Sequence, residues 1–395
     1  MKHIAVIGAG ITGVMAAYYL AKEGYSVTVY DHESGPARKT SYANGGQISV
    51  SNSEVWNTWA NIYKGFKWLG KKDAPLLIRS DFDIDKYIWL FKFLWHTVKF
   101  DYRKNTVDSI RLGLESRLLY KELELQENIE YDQLACGILH FYSDSRYFEG
   151  AKRSKKIYND NLCEWDIIDP KGVIDTEPSL SKRNDIVGGA WTPSDYSGDI
   201  YKFCVELCEI LKNKYKVKFV FDQLIDDLKD FENYDIVVVS AGTGSNKLAK
   251  SIGDRLPIYP VKGYSITIEL DEQSAKFAPT VSLLDDQAKI VASRLGNRLR
   301  VAGTAELAGE NWEVNADRIQ PLLDWTKKNF PDIKLDNYNS WACLRPMTPN
   351  MMPIVKRSRR NSKIYYHTGH GHLGWTYSPA TAKKLCRLIN ENDND

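Results

Sequence analysis

Cysteine is scarce in this sequence. Six occur in 395 residues, at positions 136, 163, 204, 208, 343 and 386, with no CxxC pair and no zinc-like spacing. That excludes a disulfide framework and points to a reducing compartment. Cys204 and Cys208 lie four apart on an expected helix, where packing is the expected role. An excess of one charge sign is also missing. Lys and Arg number 53 against 51 Asp and Glu, a net charge of +2, so nothing recommends nucleic acid as a partner. No apolar run approaches the length of a membrane span. The chain enters its first strand directly after Met1-Lys2-His3, which leaves no room for a signal peptide, and a cytoplasmic protein is expected. What is abundant is aromatic side chain, 12% of residues, which suits a large flat ligand that must be enclosed. A chain this long exceeds one ordinary core, so two domains are expected.

The N-terminus carries the strongest pattern. Ile4-Ala5-Val6-Ile7 is followed by Gly8-Ala9-Gly10-Ile11-Thr12-Gly13, an apolar helix, and Val27-Thr28-Val29-Tyr30-Asp31-His32. This is the strand, glycine turn, helix, strand and acid of a dinucleotide-binding βαβ unit. Gly8 makes the tight turn, Gly10 admits a pyrophosphate to the backbone, and Gly13 brings the helix close to its strand. Helix-start amides favour the phosphates, and Asp31 is placed for a ribose.

Downstream, Lys39 to Ser49 is a small-residue and amide loop holding Ser41, Asn44, Gly45, Gly46, Gln47 and Ile48, of a kind that wraps ligands. Residues 56–100 are aromatic and basic. A helix packed on the second domain is expected there, with a membrane-surface patch as the alternative. Residues 106–124 read as an amphipathic helix. A second β-α-β stretch ends in the buried run Ile236–Val239 and Ser240-Ala241-Gly242, where strand ends meet ligands in open α/β sheets. From Leu256 the pattern alternates, as in antiparallel strands, with a hairpin at Gly296-Asn297. The expected fold is therefore α/β, a Rossmann-like domain interleaved with an α+β domain on a mostly antiparallel sheet. The boundaries read as 1–55, 186–255 and 340–395 for the nucleotide part, and 56–185 and 256–339 for the substrate part.

Two further constellations carry chemistry. Gly369-His370-Gly371-His372-Leu373-Gly374-Trp375-Thr376 precedes the closing helix and presents backbone amides beside a positive dipole end. Such amides favour a ligand that becomes anionic, as a flavin does on reduction and a nicotinamide does not. This favours FAD over NAD. The two histidines lack the further ligands a metal needs, and no metal is expected. Arg345, in Leu344-Arg345-Pro346-Met347-Thr348-Pro349, is expected just after a strand, with its guanidinium fork held rigidly enough to grip a carboxylate.

These motifs, with Tyr259-Pro260-Val261-Lys262-Gly263-Tyr264-Ser265 and Gly303-Thr304-Ala305-Glu306, resemble in order and over nearly the whole chain the glycine oxidase and D-amino-acid oxidase superfamily, the bacterial D-amino-acid dehydrogenases above all. The resemblance implies FAD-dependent oxidative deamination of D-amino acids by hydride transfer to the flavin, giving a 2-oxo acid and ammonia. Arg345 would bind the substrate carboxylate, with Tyr264 and Trp375 as pocket walls. Gly8 to Gly13, Asp31, His32, Ser41, Asn44 to Ile48, Ile225 (expected in a strand before Val237), Ala241, Gly242, Arg345, Gly369 and Gly371 to Thr376 would hold the FAD. The electron acceptor would be a quinone-type carrier or oxygen, with peripheral contact on the inner face of a membrane in the former case. Alternatives are a glycine, sarcosine or D-hydroxyproline oxidoreductase, or a non-catalytic flavin-bearing subunit of an electron-relay complex.

The chain departs from the pattern at three places. Cys343 stands where glycine is expected, and a cysteine near this position bonds the flavin in sarcosine oxidases. The expected reading is a buried thiol beside non-covalent FAD, with a covalent link as the alternative. Asn350-Met351-Met352-Pro353 lacks the usual Asp-Gly, and His372 replaces a small polar residue.

Overall fold

The computed structural model describes residues 1–68, 76–78 and 83–393. Parts of the aromatic and basic stretch read above, residues 69–75 and 79–82, lie outside the described residues.

Two sheets organise the chain. The first has six strands in the order Ile354–Arg357, Ile364–Thr368, Ile236–Val239, His3–Ile7, Ser26–Tyr30, Lys218–Val220. All neighbours pair in parallel except Ile354–Arg357, which runs antiparallel to Ile364–Thr368. The central strands read as unbroken apolar runs because both of their faces are covered. Ile4, Val6 and Val238 pack with residues of the helices Ile11–Lys22, Ile200–Asn213 and Gly374–Asp393, including Cys204 and Cys208. Ala5, Ile7, Val237 and Val239 pack with Phe231, Leu248 and Ala249 on the other side.

The second sheet has nine strands, eight of them in the order Tyr338–Met347, Tyr259–Glu269, Arg298–Leu307, Ile290–Leu295, Ser282–Asp285, Ile138–Tyr142, Gly188–Thr192, Asp166–Ile168, and the ninth, Leu76–Ile78, in parallel beside Arg298–Leu307. Most pairs are antiparallel, and the hairpin at Gly296-Asn297 pairs Leu295 with Arg298. Gly188–Thr192 and Tyr338–Met347 belong to this sheet. The boundaries expected from sequence place the first of them, and most of the second, with the nucleotide part. Each pairs with a neighbour distant in sequence, and strand alternation alone does not reveal a distant partner.

Two histidines are buried where the closing helix meets the first sheet. Thr381 Oγ1 lies 2.9 Å from Nε2 of both His367 and His370. Burial holds His367 down to about 3, and burial together with His367 holds His370 well below the ordinary value. In the unfolded chain both take a proton near pH 6.5. Stability is therefore complete above that value and is lost as pH falls from about 6.5 toward the folded pKa, by about 1.4 kcal/mol per pH unit for each ring. Thermal unfolding of the apoprotein should show Tm dropping between pH 7 and pH 5. The drop should be shallower in the His367→Gln, His370→Gln double variant.

Candidate active site

One cavity of about 840 Å³ runs from the N-terminal glycine turn to the face of the second sheet. Its first end is built by the βαβ unit. Helix Ile11–Lys22 starts at Gly10 with no side-chain cap from that residue; the Ile11 amide donates to Ser41 Oγ at 3.2 Å, and Gly10, Ile11 and Thr12 line the cavity. The three glycines differ in what they permit. A Cβ on Gly8 would lie 2.5 Å from the Ser240 carbonyl oxygen, and one on Gly13 1.7 Å from the Gly8 carbonyl oxygen. A Cβ on Gly10 would meet only Ser41 Oγ, at 3.4 Å. Gly8 and Gly13 are thus required by the fold, whereas the fold alone would admit a side chain at Gly10. The Asp31 carboxylate is fixed by the Ala9 amide at 2.6 Å and the Glu33 amide at 2.9 Å.

Several expected residues line the cavity: Gly8, Asp31, His32, Ser41, Asn44, Gly45, Gln47, Ala241, Gly242, Tyr264, Arg345, Gly371 to Gly374 and Trp375. Ile225 lines it too, although it lies in the loop after Lys218–Val220 and not in a strand. Six expected residues do not reach it. Ala9 and Ile48 are fully buried in the core, and Gly13 packs on the Gly8 carbonyl. Gly46 forms a turn, taking Asn44 Oδ1 on its amide. A Cβ on Gly369 would meet Thr348 and Ile354. Thr376 is buried, and its Oγ1 accepts the Ser49 amide. Each of these supports the loop that places its neighbours.

Arg345 lies inside the strand Tyr338–Met347, not after it. Its guanidinium crosses the neighbouring strand and donates from Nη1 to the Thr304 carbonyl at 2.9 Å. This crossing requires Gly263, where a Cβ would lie 2.3 Å from Nη2. Burial lowers the Arg345 pKa, opposed by Cys343. Arg345 is partly buried, and among the described residues no carboxylate pairs with it. Replacing Gly263 with alanine should push the guanidinium off its seat and raise KM for a carboxylate substrate at least tenfold, with little change in the visible spectrum; steady-state kinetics checks this.

Other walls were not evident from sequence. Trp56 stacks on His372 with ring centroids 4.8 Å apart, and burial with Arg345 and Lys289 nearby holds His372 down to about 3. Trp375 is both wall and core: it packs in the first core, yet its indole Nε1 has no hydrogen-bond partner among the described residues. Tyr264 donates its hydroxyl to Glu306 at 2.6 Å. Asp286 and Lys289 also line the cavity, from a turn that carries no sequence signature beyond its acidic start.

The cavity suits a flavin dinucleotide on two observations. Gly10 leaves open a space that a Cβ would narrow. Buried polar atoms around the cavity, Ser240 Oγ, Thr304 Oγ1, His370 Nδ1, His372 Nε2 and Trp375 Nε1, have no partner among the described residues, and such groups call for a bound ligand. No group of three metal-ligating side chains gathers among the described residues.

Comparison with known proteins agrees with this geometry. The family model described as FAD dependent oxidoreductase matches residues 3–388. The D-amino acid dehydrogenase 3 of Mesorhizobium japonicum is 44% identical, over 98% of this chain and 97% of that protein. The D-amino acid dehydrogenase of Dechloromonas aromatica is 38% identical, over 98% and 96%. Among solved structures, glycine oxidase from Geobacillus kaustophilus superposes with a TM-score of 0.77 at 16% identity, over 99% of this chain and 95% of that one, a likeness of fold.

Proposed function

Because the chain belongs to the FAD dependent oxidoreductase family, we propose that it catalyses the FAD-dependent oxidative deamination of D-amino acids. The observation that carries this reading is Arg345, a partly buried guanidinium lining the cavity with no carboxylate partner among the described residues. A substrate α-carboxylate supplies the missing charge, and the fork geometry fixes the substrate's orientation. When bound, FAD would supply the hydride-accepting chemistry for the α-carbon. Tyr264, held by Glu306, and His372, stacked on Trp56, wall the space beside Arg345. The glycine turn, Asp31 and the loop from Ser41 to Gln47 would hold the dinucleotide, and the amides from Gly371 to Gly374 its ring. In this reading the six-stranded sheet is the nucleotide domain and the larger sheet the substrate domain. Anaerobic addition of D-amino acids, glycine, sarcosine and D-hydroxyproline to the FAD-loaded protein tests it. Bleaching by D-amino acids is expected. A flavin bleached only by the others, or by none, overturns the assignment.

FAD is held without a covalent bond. Burial raises the Cys343 thiol above its ordinary value, which disfavours the thiolate such a bond requires. Denaturing the yellow protein should release all of the flavin into the supernatant after precipitation; colour retained in the pellet would show a covalent link.

The acceptor is a lipid-soluble quinone-type carrier reached at an anionic membrane face. Helix Ile84–Val98 is fixed on one side by Trp89, which donates to the Met347 carbonyl at 2.8 Å, and exposes Tyr87, Phe91 and Trp95 on the other. Leu90, Phe93 and Leu94 of the same helix line the cavity, so the exposed apolar face adjoins its mouth. Lys250 pairs with Asp85 at the start of this helix, and Arg255, Lys356, Arg359 and Arg360 line a basic surface hollow nearby. Apolar side chains beside cations suit an interfacial position. Among the described residues no helix is long and apolar enough to cross a membrane.

A further inference from the structure

Lys289 has a conformation that its residue type does not favour. It closes the turn before strand Ile290–Leu295 at φ +56°, a left-handed position where glycine or asparagine carries less strain. Backbone strain of this kind persists where the surroundings enforce it, and it clusters at functional sites. Here the enforcement is visible. The buried Asp285 accepts from the Gln287 and Ala288 amides at 3.0 and 2.9 Å, and from Trp325 Nε1 at 2.8 Å. The turn is thereby locked to the sheet.

The lock presents a built polar pair. Asp286 Oδ2 accepts from the Tyr142 hydroxyl at 2.8 Å and from His140 Nδ1 at 3.1 Å. The far nitrogen of His140 lies 3.1 Å from Ser51 Oγ. The other carboxylate oxygen, Oδ1, takes Lys289 Nζ at 3.2 Å. Both Asp286 and Lys289 line the cavity, and half of the lysine side chain is exposed. The strand that follows the turn also leads toward the backbone that Arg345 contacts. Ile290 pairs with Gly303, so Lys289 approaches the next residue, Thr304, from one side. Arg345 reaches the Thr304 carbonyl from the other.

This inference rests on the D-amino-acid reading above. We propose that Asp286 and Lys289 form a side-chain subsite that selects a neutral polar group, a carboxamide above all, in a substrate whose carboxylate lies on Arg345. Lys289 Nζ donates to the amide oxygen, and Asp286 Oδ1, which has one bond and room for a second, accepts from the amide nitrogen. The pair carries no net charge. A side-chain carboxylate would meet Asp286 and a side-chain ammonium would meet Lys289, so either gains little. An aliphatic side chain would strip water from the pair and leave its remaining donor and acceptor capacity unfilled, which costs more than a hydrogen bond gains.

D-Asparagine, D-leucine and D-aspartate have nearly the same shape and separate these cases. With the FAD-loaded protein, kcat/KM for D-asparagine should exceed that for each of the others by about tenfold or more. In Lys289→Met the ratio of D-asparagine to D-leucine should fall to near one, with D-leucine turnover within about threefold of the parent. Retained visible absorbance, and unchanged spectral perturbation by propionate (a carboxylate without amine or side-chain amide), show that the variant is folded with Arg345 in place. If Lys289→Met slows D-asparagine and D-leucine equally, the lysine serves every substrate alike and the subsite is wrong. A parent enzyme that turns over D-leucine as well as D-asparagine also overturns it, whatever the variant does. No flavin reduction by any D-amino acid is a separate result, which removes the activity itself and the subsite with it.

Discussion

Replacing Arg345 with alanine is expected to raise KM for a D-amino acid on the order of a hundredfold or more, while the protein stays yellow. The guanidinium is partly buried, is held by the Thr304 carbonyl, and has no carboxylate partner among the described residues. On the proposed reading a bound substrate carboxylate would be its counter-charge, and removing one member of a charge pair enclosed in this way costs about 3–5 kcal/mol. Part of that loss falls on kcat, because the fork also sets the angle at which the α-carbon is presented. Lysine in this place should rescue only part of the effect, since a point charge cannot reproduce two parallel hydrogen bonds. Steady-state kinetics of both variants, with FAD content read from the visible spectrum, checks this. Unchanged KM in Arg345→Ala would remove the carboxylate clamp. Loss of FAD together with activity would instead assign Arg345 to the cofactor.

The parts of the site that were legible in the sequence are those whose physics is local. A turn that must pass a strand into a helix leaves its glycines eight, ten and thirteen residues from the start, and an apolar run covered on both faces reads directly as Ile236–Val239. Arg345 stood out because a lone arginine amid Trp341, Cys343, Met347 and Met351 is unusual. What the sequence hid is set by pairing across long distances. Gly188–Thr192 is a strand of the larger sheet because Ile138–Tyr142 lies beside it, and nothing within its own five residues says so. Gly263 looks like a strand irregularity until Arg345 is seen crossing it. Trp56 and His372 are more than 300 residues apart yet stack. Lys289 is the sharpest case. Its left-handed backbone and its ion pair with Asp286 exist only once Tyr142, His140 and Trp325 have been brought to the same turn.

The glycine turn separates what the fold needs from what the cofactor needs, and substitution should show the two apart. Gly13→Ala should destabilise the protein by several kcal/mol, because the new Cβ would fall 1.7 Å from the Gly8 carbonyl oxygen. The helix would then have to leave its strand, and backbone on both sides cannot yield as a flexible side chain would. Loss of soluble protein, or a fall in apoprotein Tm of about 10 °C or more, is expected. Gly10→Ala should behave otherwise. Gly10 sits at φ −69°, ψ 176°, which alanine adopts without strain, and its Cβ would meet only Ser41 Oγ at 3.4 Å. The apoprotein should therefore unfold at nearly the parent temperature. Its FAD affinity should fall about a hundredfold, because the methyl group stands where a pyrophosphate must approach the backbone. Thermal unfolding without flavin and fluorescence titration with FAD measure the two quantities independently. If Gly10→Ala bound FAD as tightly as the parent, the dinucleotide phosphates would not lie over this helix start, and the cofactor would have to enter the cavity in some other orientation.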